Sequence, residues 1–120
     1  MSDKVIQRID GALKHIEGIQ NSVEGVSYEK FINDHLILYS VSFRLIQLGE
    51  KMIKLEQLLK GKYPELPWYQ ARIMRNIIVH DYENANPKII YDTATKDIGD
   101  LKQCFLRIKD DIKHMKKQTP

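Results

Sequence analysis

Apolar residues recur at steps of three and four along almost the whole chain and nowhere alternate, so the pattern is helical throughout. Val5, Ile9, Ala12, Leu13, Ile16 and Ile19 mark a first helix. Ser2 and Asp3 can cap it, and it is expected to end around Ser22, before Gly25. Ser27 caps a second, long helix that carries Phe31, His35, Leu38, Ser42, Leu45, Leu48, Met52, Leu55 and Leu59 on its apolar side and stops at Gly61. Between Leu36 and Leu48 this helix is apolar around much of its circumference, which predicts burial on more than one side.

Pro64 and Pro67 exclude a regular helix through the segment after Gly61, and Pro67 is suited to the first turn of a third helix. That helix is expected to end between His80 and Glu83, before Asn86 as cap and Pro87 as first residue of the next. A last helical region runs from Lys88 to about Lys117. Thr93, Thr95, Asp97 and Gly99 predict a kink or break in its first half, and Leu101, Phe105, Ile108 and Ile112 a firm helix from Leu101 to Met115. No repeat or long linker divides the 120 residues. The prediction is one all-α domain over residues 1–120, an antiparallel bundle of four main helices with a kinked or split last helix. The spare apolar surface of the second helix makes self-association plausible.

Composition narrows the functions. With 42% apolar residues the chain can bury a core without staples, and a net charge of +3 permits a nucleic-acid partner without demanding one. A lone Cys104, beside Leu101, Phe105 and Ile108, excludes an intrachain disulfide and reads as a small buried hydrophobe. The N-terminus lacks an apolar signal core. The longest apolar run, Leu36 to Ile46, is too short for a bilayer and contains Arg44, so a cytoplasmic protein without membrane attachment is expected. Glycine-rich nucleotide loops and nucleophile motifs are absent, and no cofactor is implied. His15 and His114 read as surface residues, and His35 as a packed histidine on the apolar side of the second helix. His80-Asp81 has only Asp34-His35 as a similar pair, too little for a metal-dependent phosphohydrolase. The Lys113–Lys117 tail suits a helix C-terminus and could add weak phosphate attraction.

The chemistry concentrates in Arg75-Asn76-Ile77-Ile78-Val79-His80-Asp81-Tyr82. With Ile73 at zero, Met74, Ile77 and Ile78 fall between roughly 40° and 140°, an apolar face. Arg72, Arg75, Asn76, His80 and Tyr82 fall between roughly 180° and 340°, a face without a carboxylate that suits phosphate. Arg75 and His80 stand about 7.5 Å apart along the axis and about 140° apart around it. Either one long arginine spans that gap or a second copy of the helix supplies the other half. An imidazole at a helix end is the natural acid/base candidate near neutral pH.

These residues resemble the Arg, four residues, His, any residue, Tyr signature of HEPN-domain ribonuclease toxins of the HepT-like group. Leu48-Gly49-Glu50 is similar to that family's Gly-Glu element, and Tyr63-Pro64-Glu65-Leu66-Pro67-Trp68 to its Pro-x-x-Pro-Trp entry to the motif helix. Asn86-Pro87 through Asp100-Leu101 is similar to its downstream segment, so the resemblance covers roughly residues 5 to 110. It implies a HEPN bundle that dimerises with motif helices facing a shared cleft, and metal-independent cleavage of RNA. His80 would act as acid/base and Arg75 would stabilise phosphoryl charge, with Asn76 orienting His80 and Arg72 in support. It also implies a minimal nucleotidyltransferase antitoxin as partner, which in some members transfers AMP to the motif tyrosine, here Tyr82. If the helix continued, Tyr82 would share an azimuth with Arg75 and its phenol would reach solvent at the helix end. The rival from another class is a non-catalytic helical module that binds a nucleotidyltransferase partner or RNA.

Overall fold

A computed structural model describes residues 2–118, with side chains over residues 3–115. The expected cap by the Ser2 side chain, and the side chains of Lys116 and Lys117 in the basic tail, lie outside the described residues. The chain forms α1 (Ser2–Val23), α2 (Tyr28–Asn33), α3 (His35–Leu59), α4 (Trp68–His80), a 3-10 turn (Tyr82–Asn84), α5 (Pro87–Asp92), a π-helical turn (Thr93–Asp97) and α6 (Ile98–Gln118). The all-α bundle is as expected, and among the described residues there is no strand.

The core follows the apolar stripes. Ile9, Ile16 and Ile19 of α1 meet Val41, Met52 and Leu55 of α3, and Phe105 and Ile108 of α6, all essentially without solvent contact. Gly25 turns the chain after α1 at φ +70, a left-handed conformation that a side chain would strain. The second helix is not continuous. Asp34 leaves helical geometry at φ −114, ψ 96, and its Oδ1 accepts hydrogen bonds from Leu36 N at 3.1 Å and Ile37 N at 3.3 Å. These bonds start α3, and together with the Ile37 amide first and Lys30 next they hold the Asp34 carboxyl below its ordinary value. An aspartate can compete with the helix for its own backbone and begin a new one, and a continuous apolar stripe hides this. His35 is therefore the exposed first residue of α3, not a packed core histidine, with its ring 5.6 Å from Tyr39.

Pro67 is the cap of α4 rather than its first residue, at φ −80, ψ 59. The last helix deforms where weak formers cluster. Thr95 Oγ1 donates to Tyr91 O at 2.7 Å, and the ladder widens into the π turn before α6 resumes at Ile98, three residues earlier than expected. Asn86 caps α5 with Pro87 at its start, as expected. Cys104 is half-buried and packs on the core.

The α3–α4 connection fixes the site helix. Trp68 Nε1 donates to Tyr63 O at 3.0 Å, and Tyr63 Oη donates to Asp111 Oδ2 on α6 at 3.0 Å. Burial first, and then this hydrogen bond, push the Tyr63 phenol up to about 12. The folded chain therefore holds that proton more tightly than the unfolded chain, whose phenol titrates near 10. The stability from Tyr63 is complete below the unfolded value and is lost as pH rises toward the folded one. Urea unfolding at intervals from pH 8 to 12 should show the wild type losing more stability above pH 10 than Tyr63→Phe. Parallel losses would contradict this account of the loop.

Candidate functional site

α4 is unbroken from Trp68 to His80, so Arg75 and His80 share one rigid element. Its inward direction differs from the one that hydrophobicity suggests. Ile78 is buried and Met74 and Ala71 are half-buried, but Ile73 and Ile77 are exposed at 38% and 44%. Arg75 instead turns into the seam with α3, its side chain only 24% exposed.

A glycine on α3 accounts for this. A Cβ at Gly49 would lie 2.7 Å from Arg75 Cβ, 3.1 Å from its Cγ and 3.5 Å from Ala71 O. The two helices thus touch at a point where α3 has no side chain, and the arginine's first two carbons fill the space. The next residue of α3 receives its charge. Glu50 Oε1 stands 2.7 Å from Arg75 Nε, an ion pair without hydrogen-bond alignment. Arg75 Nη1 donates to Asn76 Oδ1. One turn toward the start of α4, Arg72 Nη1 donates to Glu56 Oε1 at 2.5 Å, and that bond is the main cause that holds the Glu56 carboxyl below its ordinary value.

The polar face of α4 is therefore not free of carboxylates, because α3 supplies them. In antiparallel register Glu50 meets Arg75 and Glu56 meets Arg72. Their roles were missed because they lie 25 and 16 residues upstream of their partners, though charge complementarity between the two helices was a usable signal. Asn76 is engaged with Arg75, and no hydrogen bond joins it to His80, so the expected orienting bond is absent. His80 is exposed and ends α4. No ion pair or hydrogen bond brings Arg75 and His80 together among the described residues.

Tyr82 departs most from expectation. Asp81 breaks the helix at φ −150, ψ 47, and Asn84 Nδ2 donates to Asp81 Oδ1 at 2.8 Å across the following turn. Tyr82 thus leaves the azimuth of Arg75. Its ring centroid is 5.9 Å from that of Tyr39 on α3, and its hydroxyl is covered by protein without a hydrogen-bond partner among the described residues. Beside it, Leu36, Tyr39 and Phe43 form an exposed stripe on α3, at 83%, 54% and 59%. The pattern of the second helix predicted burial on more than one side, but within one chain these three side chains are exposed and form its spare apolar surface. Among the described residues no three His, Cys, Asp or Glu side chains gather as metal ligands, and no helix is long and apolar enough to cross a membrane.

The geometry leaves an arginine in the α3–α4 seam and a histidine at the exposed end of the same helix, and comparison with known proteins supplies the class. The family model described as Ribonuclease HepT-like matches residues 12–108, and the chain belongs to that family. It is 31% identical over 100 residues to "Putative RNase MJ1216" of Methanocaldococcus jannaschii, covering 83% of each chain. It is 27% identical over 94 residues to "Probable ribonuclease HepT" of Thermococcus cleftensis, covering 78% of this chain and 86% of that one. No solved structure matches the chain.

The seam predicts a specific failure. Gly49→Ala forces Cβ against Cβ, which no side-chain rotation relieves, so α3 and α4 must separate. Overpacking of this kind costs about 1–3 kcal/mol. Equilibrium unfolding should show a loss in that range for Gly49→Ala, against a small change for Gly61→Ala, where an added Cβ meets nothing within 4 Å. Equal effects at the two glycines would contradict the close approach.

Proposed function

We propose that this chain is a metal-independent endoribonuclease whose site forms at a homodimer cleft, with Arg75 of one protomer serving His80 of the other. The observation that carries the composite site is the divergence of the two side chains within a protomer: Glu50 draws Arg75 into the α3 seam while His80 projects at the end of α4. The exposed Leu36, Tyr39 and Phe43 offer an apolar surface next to that end for a second copy. In the reaction, His80 takes the proton of a ribose 2′-hydroxyl and the 2′-oxygen attacks the adjacent phosphorus. The new P–O bond forms as the bond to the 5′-oxygen breaks, and that oxygen takes a proton from water while His80 returns its own to solvent. The products are a 2′,3′-cyclic phosphate, which opens to a 2′- or 3′-phosphate, and a 5′-hydroxyl. The Arg75 guanidinium stabilises charge on the phosphoryl oxygens, and Glu50 and Asn76 aim it.

His80→Ala should abolish cleavage of RNA in chelator while changing stability by less than about 0.5 kcal/mol, because the side chain is exposed. Arg75→Ala should cost at least about 2–4 kcal/mol of transition-state stabilisation. Electrophoresis of RNA digests with purified proteins checks both, and full activity in both variants refutes the assignment. Arg72 and Arg75 already have carboxylate partners, which is the observation favouring the rival, a non-catalytic binding module. An inactive wild type that still binds RNA or a partner would establish that rival.

The same proposal makes the chain the cytoplasmic toxin of a toxin–antitoxin pair, silenced by a nucleotidyltransferase through AMP transfer to Tyr82. The family resemblance supports the partner. The covered Tyr82 hydroxyl adds a requirement: the turn over Tyr82–Asn84 must open before the phenol can attack a nucleotide. Co-expression with such a partner, followed by mass spectrometry, should show AMP-sized additions on the peptide containing Tyr82. An unmodified peptide in a neutralised complex would mean that binding alone silences the chain.

A further inference from the structure

The opposite flank of α3 carries a second group of cations. α1 and α3 run antiparallel, and α1 presents glycines one heptad apart, Gly11 and Gly18. α3 presents Lys51 and Arg44, also one heptad apart, and each cation lies on one glycine. A Cβ at Gly18 would fall 2.2 Å from Arg44 Cζ, and one at Gly11 would fall 3.1 Å from Lys51 Cε. Arg44 Nη1 also stands 3.4 Å from His15 Nδ1. Among the described residues, none of Lys14, His15, Arg44 and Lys51 forms an ion pair with a carboxylate. Burial first, and then the charges of Arg44, Lys51 and Lys14, push the His15 imidazole below its ordinary value. His15 is thus half-buried in a basic cluster rather than a plain surface residue.

Packing like charges together without a counter-charge is unfavourable, and an anion relieves it. The glycines show that Arg44 and Lys51 are seated rather than loose. Arg44 and Lys51 share nearly one azimuth and stand about 10.5 Å apart along α3. Glu50, which holds Arg75, lies about 100° around the helix from Lys51, with Gln47 and Lys54 between. The cluster and the Arg75 seam therefore flank the same outward face of α3, separated by about one helix diameter, on the order of 10 Å.

The geometry points to the Lys14–His15–Arg44–Lys51 cluster as a phosphate-binding site for the RNA backbone, which holds the strand where it crosses α3 on the way to Arg75 and His80. This rests on the ribonuclease reading above. It is a binding site and takes no part in the chemistry. An acidic protein surface is the competing occupant. RNA is favoured because the cluster and the seam lie on two flanks of one outward face, which a strand can cross.

The test uses a fluorescent twelve-nucleotide single-stranded RNA and the His80→Ala protein, with and without Arg44→Gln and Lys51→Gln together. The expected result is binding weakened about tenfold or more, and a salt dependence shallower by about 1.4, two contacts at about 0.7 each. Unchanged affinity and slope would overturn the proposal and leave the cluster to an acidic protein. If the double variant unfolds, Lys51→Gln alone should show half the change in slope, since only the far end of that side chain rests on α1. Cleavage of a dinucleoside monophosphate, too short to span α3, separates the two claims. It should be equal in wild type and in Arg44→Gln/Lys51→Gln. A matching loss there would mean general damage and would also overturn the proposal. A wild type that cleaves neither RNA nor dinucleotide would refute the ribonuclease reading itself, whatever the binding shows.

Discussion

The site depends on one close approach, that of α4 to Gly49 of α3. Without a Cβ at that position the Arg75 backbone can sit directly on α3, so that its side chain leaves the seam sideways beside Glu50. The energies separate support from aim. Trp68, Leu66 and Ile78 are almost fully buried, at about 1.5–3 kcal/mol each, and dock the start and end of α4. The Arg75–Glu50 pair is partly exposed and contributes at most about 1 kcal/mol. Its consequence is geometric: it sets which way a guanidinium points at small cost in ordering, because the backbone beneath is already fixed.

α3 thereby works as a divider with distinct surfaces. One side packs on α1 and faces the core through Val41, Met52 and Leu55. One edge meets α4 and carries Glu50 and Glu56. The outward surface changes character along its length. Leu36, Tyr39 and Phe43 lie exposed on its first half, and from Arg44 onward the edge toward α1 carries the seated cations Arg44 and Lys51. A helix apolar on several sides is usually read as one buried all round. Here the excess is exposed, at the end where α4 stops and Tyr82 packs on Tyr39.

The fold was legible because helical periodicity and proline positions are local signals. The stripes of α1 and α6, the Asn86-Pro87 start and the deformation near Thr95 all appear in the chain as expected. The break at Asp34 was not, because its cap competes with an unbroken apolar stripe. The site was legible only in outline. A wheel ranks faces by hydrophobicity and so turned Ile77 inward and Arg75 outward, whereas a glycine 26 residues upstream reverses the preference. The covering of Tyr82 was invisible for a similar reason, since it depends on Asp81 ending the helix and on the Tyr39 ring supplied by α3.

If Arg75 and His80 diverge within a protomer and act across a two-fold axis, their variants must complement each other. Arg75→Ala and His80→Ala proteins, each inactive alone, are unfolded, mixed in equal amounts and refolded. A heterodimer then holds one site with both groups intact and one with neither. Half of the dimers are mixed and half of their sites are competent, so RNA cleavage should return to about a quarter of the wild-type rate. Mixed dimers that form but stay inactive would contradict the composite site and return the chemistry to a single protomer.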